Sequence, residues 1–433
     1  MGAADLFGDE GGEGKRGREI GKGAPRLVRV NRKQLELQPV DLESMLPPDH
    51  RARLIWGVVE SLDLGVFHVA IRAREGESGR SATDPKVLLG LWVLATTEGV
   101  GSARELKRRC DRDVAYRWMR GGVSVNYHTL SDFRSLRSKE FSAMVTQVIA
   151  AIASASEVDT EQVLQDGTRV RASAGVKSFR RKERLRVHLA AAEEQLKAAA
   201  ESARAPHKES RRAAAEKRAA REREERVRRA LETISELEEM RSQQTGGKRS
   251  KGEPRGSTTD PDARLMRMPD KGFRPAYNVQ VATSRDGNVI VGVRVSQGTD
   301  NGEVEPMLEE IAERTGNRPK SAIVDGGYYS HSTIEGAAEK GTSIYSPVPA
   351  DKRVEDPYAP RAGDSEAVAQ WRRRMATEEG KAIYAQRSKV ERPNGDLKHW
   401  RTLDSLTVRG VKKVLSVALL NALAFNVMRL IAP

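Results

Sequence analysis

The chain has 433 residues, which is enough for two or three domains that each bury a core. Its 75 Lys and Arg against 61 Asp and Glu give a formal net charge of +14, which favours a polyanionic partner such as nucleic acid. The single cysteine, Cys110, excludes an internal disulfide and a cysteine-rich zinc site. Residues 1–25 contain no apolar core of a secretory signal, so we expect a cytoplasmic protein.

The N-terminal part of the chain predicts a disordered leader followed by a helical domain. Residues 1–25 are Gly-rich and charged, and residues 26–156 carry helical apolar spacing. Asp84-Pro85 places proline just after an N-cap residue, and Ser102-Ala-Arg-Glu105 is a capping box. Several short helices with basic residues and Gly turns fit either a helix-turn-helix DNA reader or a plain helical bundle.

At Gln162 the pattern changes from helical to alternating, and residues 157–433 form the second predicted domain. The run from Val163 to Ala172 predicts a strand that contains Asp166. Asp is disfavoured inside strands, so its presence requires a reason. Asp166 is either a metal ligand on a sheet or an edge-strand residue that faces water.

Residues 178–250 predict a coiled-coil hairpin and linker inserted into that second domain. Apolar residues from Leu185 to Ala203 follow a 4-3-4-3-4 spacing, and a second seam runs from Val227 to Leu237. We expect two antiparallel helices that reverse near residues 204–208. Their Arg-rich stretches either follow a DNA duplex or form an ordinary solvated face.

The chain after the insertion predicts further strands. Tyr277–Thr283 and Val289–Ser296 are β-rich runs joined around Asp286-Gly287, which predicts a β-hairpin. Residues 320–325 predict a buried strand that ends in Asp325. The order of strand, β-hairpin, helix, strand, helix, strand and helix predicts a mixed α/β sheet. Catalytic groups gather at the carboxyl ends of strands in such sheets, so Asp325 is well placed for a site.

A helical segment near the C-terminus carries the third candidate carboxylate. If residues 384–398 form a helix, Tyr384, Arg387 and Glu391 share one face, and Lys398 follows one or two turns later. A carboxylate there can hold a divalent metal, while Arg and Lys hold phosphate oxygens. The same Arg-x-x-x-Glu spacing is also typical of an ordinary surface salt bridge.

Three carboxylates close together repel one another and need cations. Two Mg²⁺ ions about 3.5–4 Å apart would relieve that repulsion and hold the attacking and leaving oxygens of a phosphoryl transfer. Oxygen ligands suit Mg²⁺, with Mn²⁺ as a possible substitute, better than zinc. The apolar tract from Val414 to Ile431 is interrupted by polar residues and predicts a buried helix, so we expect no membrane association.

These residues resemble the DDE transposases of bacterial insertion sequences, in the IS4/IS5 broad grouping and most like the IS1182 type, over nearly the whole chain after residue 27. Asp166-Gly-Thr168 and Asp325-Gly-Gly-Tyr328 resemble the motifs of the first and second aspartates. Tyr384-x2-Arg387-x3-Glu391-x6-Lys398 matches the family's Y-R-E-K signature at every position, and Tyr277-Asn278-x-Gln280 is similar to a further segment. Asn394-Gly395 stands where relatives tend to have Phe-Gly.

The resemblance implies an RNase H-like mixed-sheet core with a helical N-terminal DNA-binding domain. It implies a transposase that binds terminal inverted repeats, cleaves DNA at the element ends and catalyses strand transfer, as a homodimer assembled on DNA and associated with the nucleoid. Asp166, Asp325 and Glu391 would bind the metals, while Tyr384, Arg387 and Lys398 would contact DNA. The alternatives are an RNase H-fold structure-specific nuclease and a catalytically silent DNA-binding regulator.

Overall fold

The structure is a computed structural model that describes residues 41–69, 71–74, 76, 81–156, 158–202, 210–243, 252–350 and 354–432. The predicted leader and the predicted reversal of the helical hairpin lie outside the described residues.

The described residues before position 157 are helical, as their spacing predicts. Both predicted helix starts are confirmed, because Asp84 accepts a hydrogen bond from the Lys86 N–H at 2.8 Å and Ser102 accepts one from Glu105 at 3.4 Å. Gly121 ends its helix at φ +53°, a backbone conformation that favours glycine. The helices are α1 (Arg51–Ser61), α2 (Gly65–His68), α3 (Pro85–Thr97), α4 (Ala103–Arg112), α5 (Val114–Arg120), α6 (Tyr127–Ser135) and α7 (Ser138–Ala155).

A six-stranded mixed sheet forms the centre of the second half of the chain, with a separate two-stranded sheet, β2 with β3. The strand order is β4-β5-β1-β7-β8, and β6 also pairs with β5. The strands are β1 (Gln162–Arg171), β2 (Phe179–Arg180), β3 (Gly256–Ser257), β4 (Arg264–Arg267), β5 (Phe273–Ser284), β6 (Ile290–Ser296), β7 (Ser321–Ile323) and β8 (Ser343–Tyr345).

The predicted mixed sheet and β-hairpin are confirmed. β5 pairs antiparallel with β1, β4 and β6, while β7 pairs in parallel with both β1 and β8. The turn between β5 and β6 contains Gly287 at φ +75°. The sequence reasoning missed β4 and the small β2–β3 sheet, because strands of two to four residues show too little alternation to recognise.

Two long helices, α8 (Lys182–Ser202) and α9 (Ser210–Ser242), form the predicted antiparallel pair. Lys182 contacts Glu238 at 2.6 Å and Arg228 contacts Glu193 at 3.3 Å, a pairing that requires opposite directions. The apolar seam consists of Leu185, Val227, Ala230 and Ile234. The pair is anchored to the core at its base, where the Thr233 hydroxyl donates to the Pro261 carbonyl at 3.2 Å.

The remaining helices surround the sheet, and one of them joins it to the N-terminal helices. They are α10 (Val304–Thr315), α11 (His331–Glu339), α12 (Glu366–Ala376), α13 (Glu378–Ala385), α14 (Glu391–Gly395) and α15 (Val411–Ile431). On α15, the Asn426 side chain bonds both the N–H and the carbonyl of Ile290 on β6, and Ser416 donates to the Arg134 carbonyl at the end of α6. The predicted domain boundary near residue 157 therefore falls within one continuous hydrophobic core.

The predicted burial of the C-terminal apolar tract is confirmed. By length and composition α15 could cross a membrane, but 67% of its most apolar window is buried inside the protein. Residues 366–376 form α12. This helix buries Trp371 and Arg372, and an ion pair with Asp364 compensates the Arg372 charge.

Candidate active site

The parallel register of β1 and β7 brings the two predicted aspartates level with each other. Leu164 lies opposite Ile323, and Asp166 follows two residues later within β1. Asp325 lies two residues beyond the end of β7 and caps the following 3₁₀ turn, so the predicted strand is shorter than expected and does not include Asp325. Asp166 accepts a hydrogen bond from the Gly167 N–H at 3.0 Å, and Asp325 accepts one from the Gly327 N–H at 2.7 Å. The backbone therefore holds both aspartates beside the carboxyl end of β7.

The surroundings of Asp166 disfavour the ionised form of its carboxyl group. Burial is the main cause that raises the pKa of Asp166 to about 6; Arg387 opposes this rise, whereas the carboxylates of Asp325 and Asp300 contribute to it. The alternative interpretation of Asp166 as an exposed edge-strand residue is wrong, because β1 is an inner strand and Asp166 is half-buried.

Residues 384–398, which carry the Y-R-E-K signature and are called the signature segment below, are helical throughout. The prediction that they form a single regular helix is wrong. Tyr384 lies in the last turn of α13, Arg387 in a 3₁₀ turn at Gln386–Val390, and Glu391 at the first position of α14. Lys398 lies in a π-helical turn at Asp396–Trp400. Pro393 has no N–H to donate, which interrupts the regular ladder of backbone hydrogen bonds.

Arg387 links the helical residues to the aspartates. Its guanidinium contacts the Glu391 carboxylate at 3.2 Å, opposes the pKa increase of Asp166, and bonds the Tyr384 hydroxyl. The Glu391 side chain is 62% exposed, whereas that of Arg387 is 26% exposed. Glu391 thus contacts Arg387 rather than either aspartate, and the structure brings together only two of the three predicted carboxylates directly.

Tyr384 and Lys398 differ in how closely they approach this site. Burial raises the pKa of Tyr384, and the charge of Asp325 acts in the same direction, so its hydroxyl remains a hydrogen-bond donor. Lys398 is half-exposed and forms no ion pair with the part of the chain that the structure describes. Its ammonium group is therefore available to a ligand.

The sequence reasoning missed two residues that lie beside the aspartates. Asn394 on α14 is buried and donates a hydrogen bond to Asp166 Oδ2 at 3.2 Å. Asp300 lies in the loop between β6 and α10 and accepts hydrogen bonds from the Asn278 and Gln280 amides, both at 2.8 Å. The Tyr277-Asn278-x-Gln280 segment was the available signal for Asp300, since two amides on one strand face point to a shared partner.

The donor chemistry fits a divalent cation bound by oxygen. Asp166 and Asp325 provide carboxylates, and the buried Oδ1 atoms of Asn278 and Asn394 have no hydrogen-bond partner. Within the described residues, no three His, Cys, Asp or Glu side chains form a ready metal-binding group. Carboxylates that lie close together repel one another, and a bound cation would remove that repulsion.

Comparison with known protein families identifies the chain. Residues 253–427 match a family model described as a transposase DDE domain, and residues 40–136 match one described as a transposase domain (DUF772). The chain is a DDE transposase. The first match contains Asp325 and the whole signature segment, whereas Asp166 precedes it. Searches of curated proteins and of solved structures return no match.

The transposase is accordingly a metal-dependent enzyme of DNA phosphoryl transfer, of the kind encoded by insertion sequences. Its mixed α/β sheet with surrounding helices is consistent with a DDE domain. DNA is its substrate, and it acts in the cytoplasm.

Proposed function

We propose that the transposase binds the terminal inverted repeats of its element, cleaves the DNA at the element ends and joins the cleaved ends to target DNA. The placement of Asp166 on β1 and of Asp325 just after the parallel neighbour β7 carries this proposal. The sheet would be an RNase H-like core, in which those two aspartates and Glu391 hold two Mg²⁺ ions, with Mn²⁺ as a substitute. Bound metal would supply charge stabilisation and an activated nucleophile.

In this proposal three residues of the signature segment bind the DNA backbone. Arg387, Lys398 and the Tyr384 hydroxyl are hydrogen-bond donors that suit phosphate oxygens. An incoming phosphate would compete with Glu391 for the Arg387 guanidinium, because both ligands are anions. That exchange would release the exposed Glu391 carboxylate and allow it to turn toward the aspartates.

We also propose that residues 26–156 contact the repeats. On α4 the side chains of Arg104, Arg108 and Arg112 are exposed at intervals of four residues, so they form a basic stripe along one face of the helix. Such a stripe neutralises phosphates and makes binding dependent on salt. Replacing all three with alanine should weaken end binding and reduce its salt dependence, and an unchanged affinity would exclude this surface.

We further propose that the transposase assembles as a homodimer on DNA and associates with the nucleoid. The α8–α9 pair extends from the sheet and offers a surface for either dimer or DNA contact. Deletion of residues 180–241 tests both roles together. Unchanged assembly and unchanged end binding would exclude both.

The decisive experiment is an assay with Mg²⁺ and a linear duplex that carries the terminal inverted repeats found in the DNA flanking the gene. End-specific cleavage followed by joining to a target plasmid would support the proposal. Cutting of branched DNA without end specificity would favour the structure-specific nuclease. Binding to the ends with no cleavage would favour the silent regulator.

A further inference from the structure

We propose that Arg134 forms a binding site for a DNA backbone phosphate, together with the Thr402 hydroxyl and the first N–H groups of α4. The site lies where the N-terminal helices meet the chain that follows Lys398. This inference rests on the proposed function, because it assigns a further phosphate contact to the surface that is proposed to bind DNA.

Arg134 on α6 is a buried cation that has no carboxylate partner among the described residues. The residue is 5% exposed. Burial lowers the pKa of Arg134 to about 10, and no neighbouring charge counteracts that shift, so the guanidinium is still charged at pH 7. Its stabilising contacts are a hydrogen bond from Nη1 to the Gly101 carbonyl and the ring of Trp92, whose centre lies 5.1 Å from Cζ. A bound anion would compensate this charge.

The guanidinium keeps two nitrogen atoms for such a ligand. The Nε and Nη2 atoms of Arg134 donate no hydrogen bond to any described residue. Neither atom is fully enclosed by the protein, so both still reach solvent although the residue as a whole is buried. These two atoms form one edge of the planar guanidinium, and such an edge can donate two parallel hydrogen bonds to a phosphate.

The Thr402 hydroxyl lies beside this free edge, next to Gly101. A methyl group on Gly101 would lie 3.6 Å from Arg134 Nη2 and 2.6 Å from Thr402 Oγ1, so both side chains border the same point. Among the described residues the Thr402 hydroxyl has no hydrogen-bond partner. Its backbone is held at φ +63°, a conformation that β-branched residues seldom adopt. The chain therefore presents a free hydroxyl next to an unpaired cation.

The N-terminus of α4 adds backbone donors directly after Gly101. Ser102 is the N-cap residue, and the N–H groups of Ala103 and Arg104 have no acceptor within the helix. The aligned peptide dipoles make this end of a ten-residue helix favourable for an anion. Glu105 is the acid of the first turn, and it is already paired with Arg108 at 2.5 Å.

This position connects two parts of the proposed DNA surface. On one side, Arg104 begins the basic stripe of α4. On the other side, the π-helical turn that contains Lys398 ends at Trp400, whose carbonyl oxygen would lie 3.0 Å from a methyl group on Gly99. The chain after Lys398 therefore packs against the turn between α3 and α4. A phosphate bound at Arg134 would continue the row of contacts from α4 toward the signature segment.

A purely structural role for Arg134 makes a different prediction. If the guanidinium only fastens the turn before α4 through the Gly101 carbonyl, its replacement should lower the melting temperature and leave the salt dependence of DNA binding unchanged. If it binds a phosphate, the salt dependence should decrease by the equivalent of one phosphate contact.

The test measures binding of the full-length protein to a linear duplex of random sequence, by fluorescence anisotropy at several salt concentrations. Arg134→Gln removes the charge and retains an amide donor for the Gly101 carbonyl. It should reduce the slope of log K against log salt by about 0.9, the value for one phosphate. Arg134→Lys keeps the charge and should keep the wild-type slope. The matched control is Arg373→Gln, since Arg373 is an exposed residue of α12 paired with Glu366.

Thr402→Val decides the question if Arg134→Gln does not fold. This variant keeps the shape of the side chain and removes the hydroxyl, which is one hydrogen bond to a charged ligand. DNA binding should weaken about tenfold with an unchanged slope, because the hydroxyl carries no charge. Wild-type affinity in the folded Thr402 variant would then overturn the site.

Replacement of the α4 stripe separates this site from the proposed function. A wild-type slope in folded Arg134→Gln, together with a reduced slope in the variant that lacks Arg104, Arg108 and Arg112, would overturn the Arg134 site and leave the proposed DNA surface standing. Wild-type slopes in both variants would contradict the surface as well. A reduced slope in Arg134→Gln alone would support the phosphate site and exclude the stripe. Reduced slopes in both, with the control unchanged, support both.

Discussion

The two halves of the proposed active site are held in different ways. On the sheet half, Asp166 and Asp325 are fixed by strand register and by hydrogen bonds to backbone N–H groups within two residues. On the helical half, Glu391 depends on one ion pair with Arg387 and has an exposed side chain. The sheet thus fixes the aspartate pair, whereas the proposed metal-binding role of Glu391 requires a change of side-chain partner.

The largest effect is expected for Asp325→Asn, which removes a charge from the preset half. Loss of a metal ligand should reduce cleavage of the ends by about 10³-fold or more, which corresponds to roughly 4 kcal/mol of transition-state stabilisation. Binding to the ends should remain close to that of the wild type. A gel assay that resolves binding from cleavage checks both, and equal cleavage by the two proteins would remove Asp325 from the site.

Glu391→Gln tests whether the helical half of the site differs from the sheet half in how its carboxylate is held. We expect cleavage to fall by about 10²-fold, because charge stabilisation at the metal would be lost. Mn²⁺ binding to the DNA-free protein should stay near the wild-type value, since Glu391 contacts Arg387 in that state. Mn²⁺ titrations with and without bound DNA measure the difference. A large loss of affinity without DNA would show that Glu391 is preset like the aspartates.

Asp166→Asn should stabilise the metal-free protein. The pKa of Asp166 is raised to about 6 from its usual 3.8, so the folded protein binds this proton more tightly than the unfolded chain does. Ionised Asp166 therefore destabilises the fold above pH 6 by up to about 3 kcal/mol, and this cost disappears below pH 3.8.

Urea unfolding in chelator at pH 7 and at pH 4.5 measures this cost. The stabilisation by Asp166→Asn should be large at pH 7 and much smaller at pH 4.5. An equal stabilisation at both pH values would assign the effect to packing instead of charge.

The smallest effect is expected for Asn394→Ala, which removes the direct hydrogen bond between the two halves. Loss of a hydrogen bond to a charged group costs about 1.5–3 kcal/mol, and we expect a roughly tenfold slower cleavage step. Single-turnover rates measure that step. Asn317→Ala, at an exposed position after α10, is the matched control and should cleave at the wild-type rate. Identical rates for both variants would exclude coupling through Asn394.

Much of this architecture can be predicted from local pattern. Helix starts and tight turns depend on neighbours within a few residues, so they can be predicted from the sequence. Examples are the helix starts at Asp84-Pro85 and Ser102 and the turn at Asp286-Gly287. The alternation around Asp166 and the apolar run before Asp325 similarly predict that both acids lie in or directly after strands of one sheet. Spacing also places Arg387 against Glu391, since an i,i+4 pair on a helix needs no distant partner.

The sequence by itself determined the element types, the mixed sheet, the helical insertion and the resemblance that identified the aspartates. Only the tertiary structure decided which of those carboxylates lie close together and which other residues lie near them. Asn394 contacts Asp166, and Asp300 approaches Gly167, from segments more than 130 residues away, and no local period encodes such contacts. Strand pairing and the burial of α14 bring these distant segments together. Both depend on the packing of the whole core.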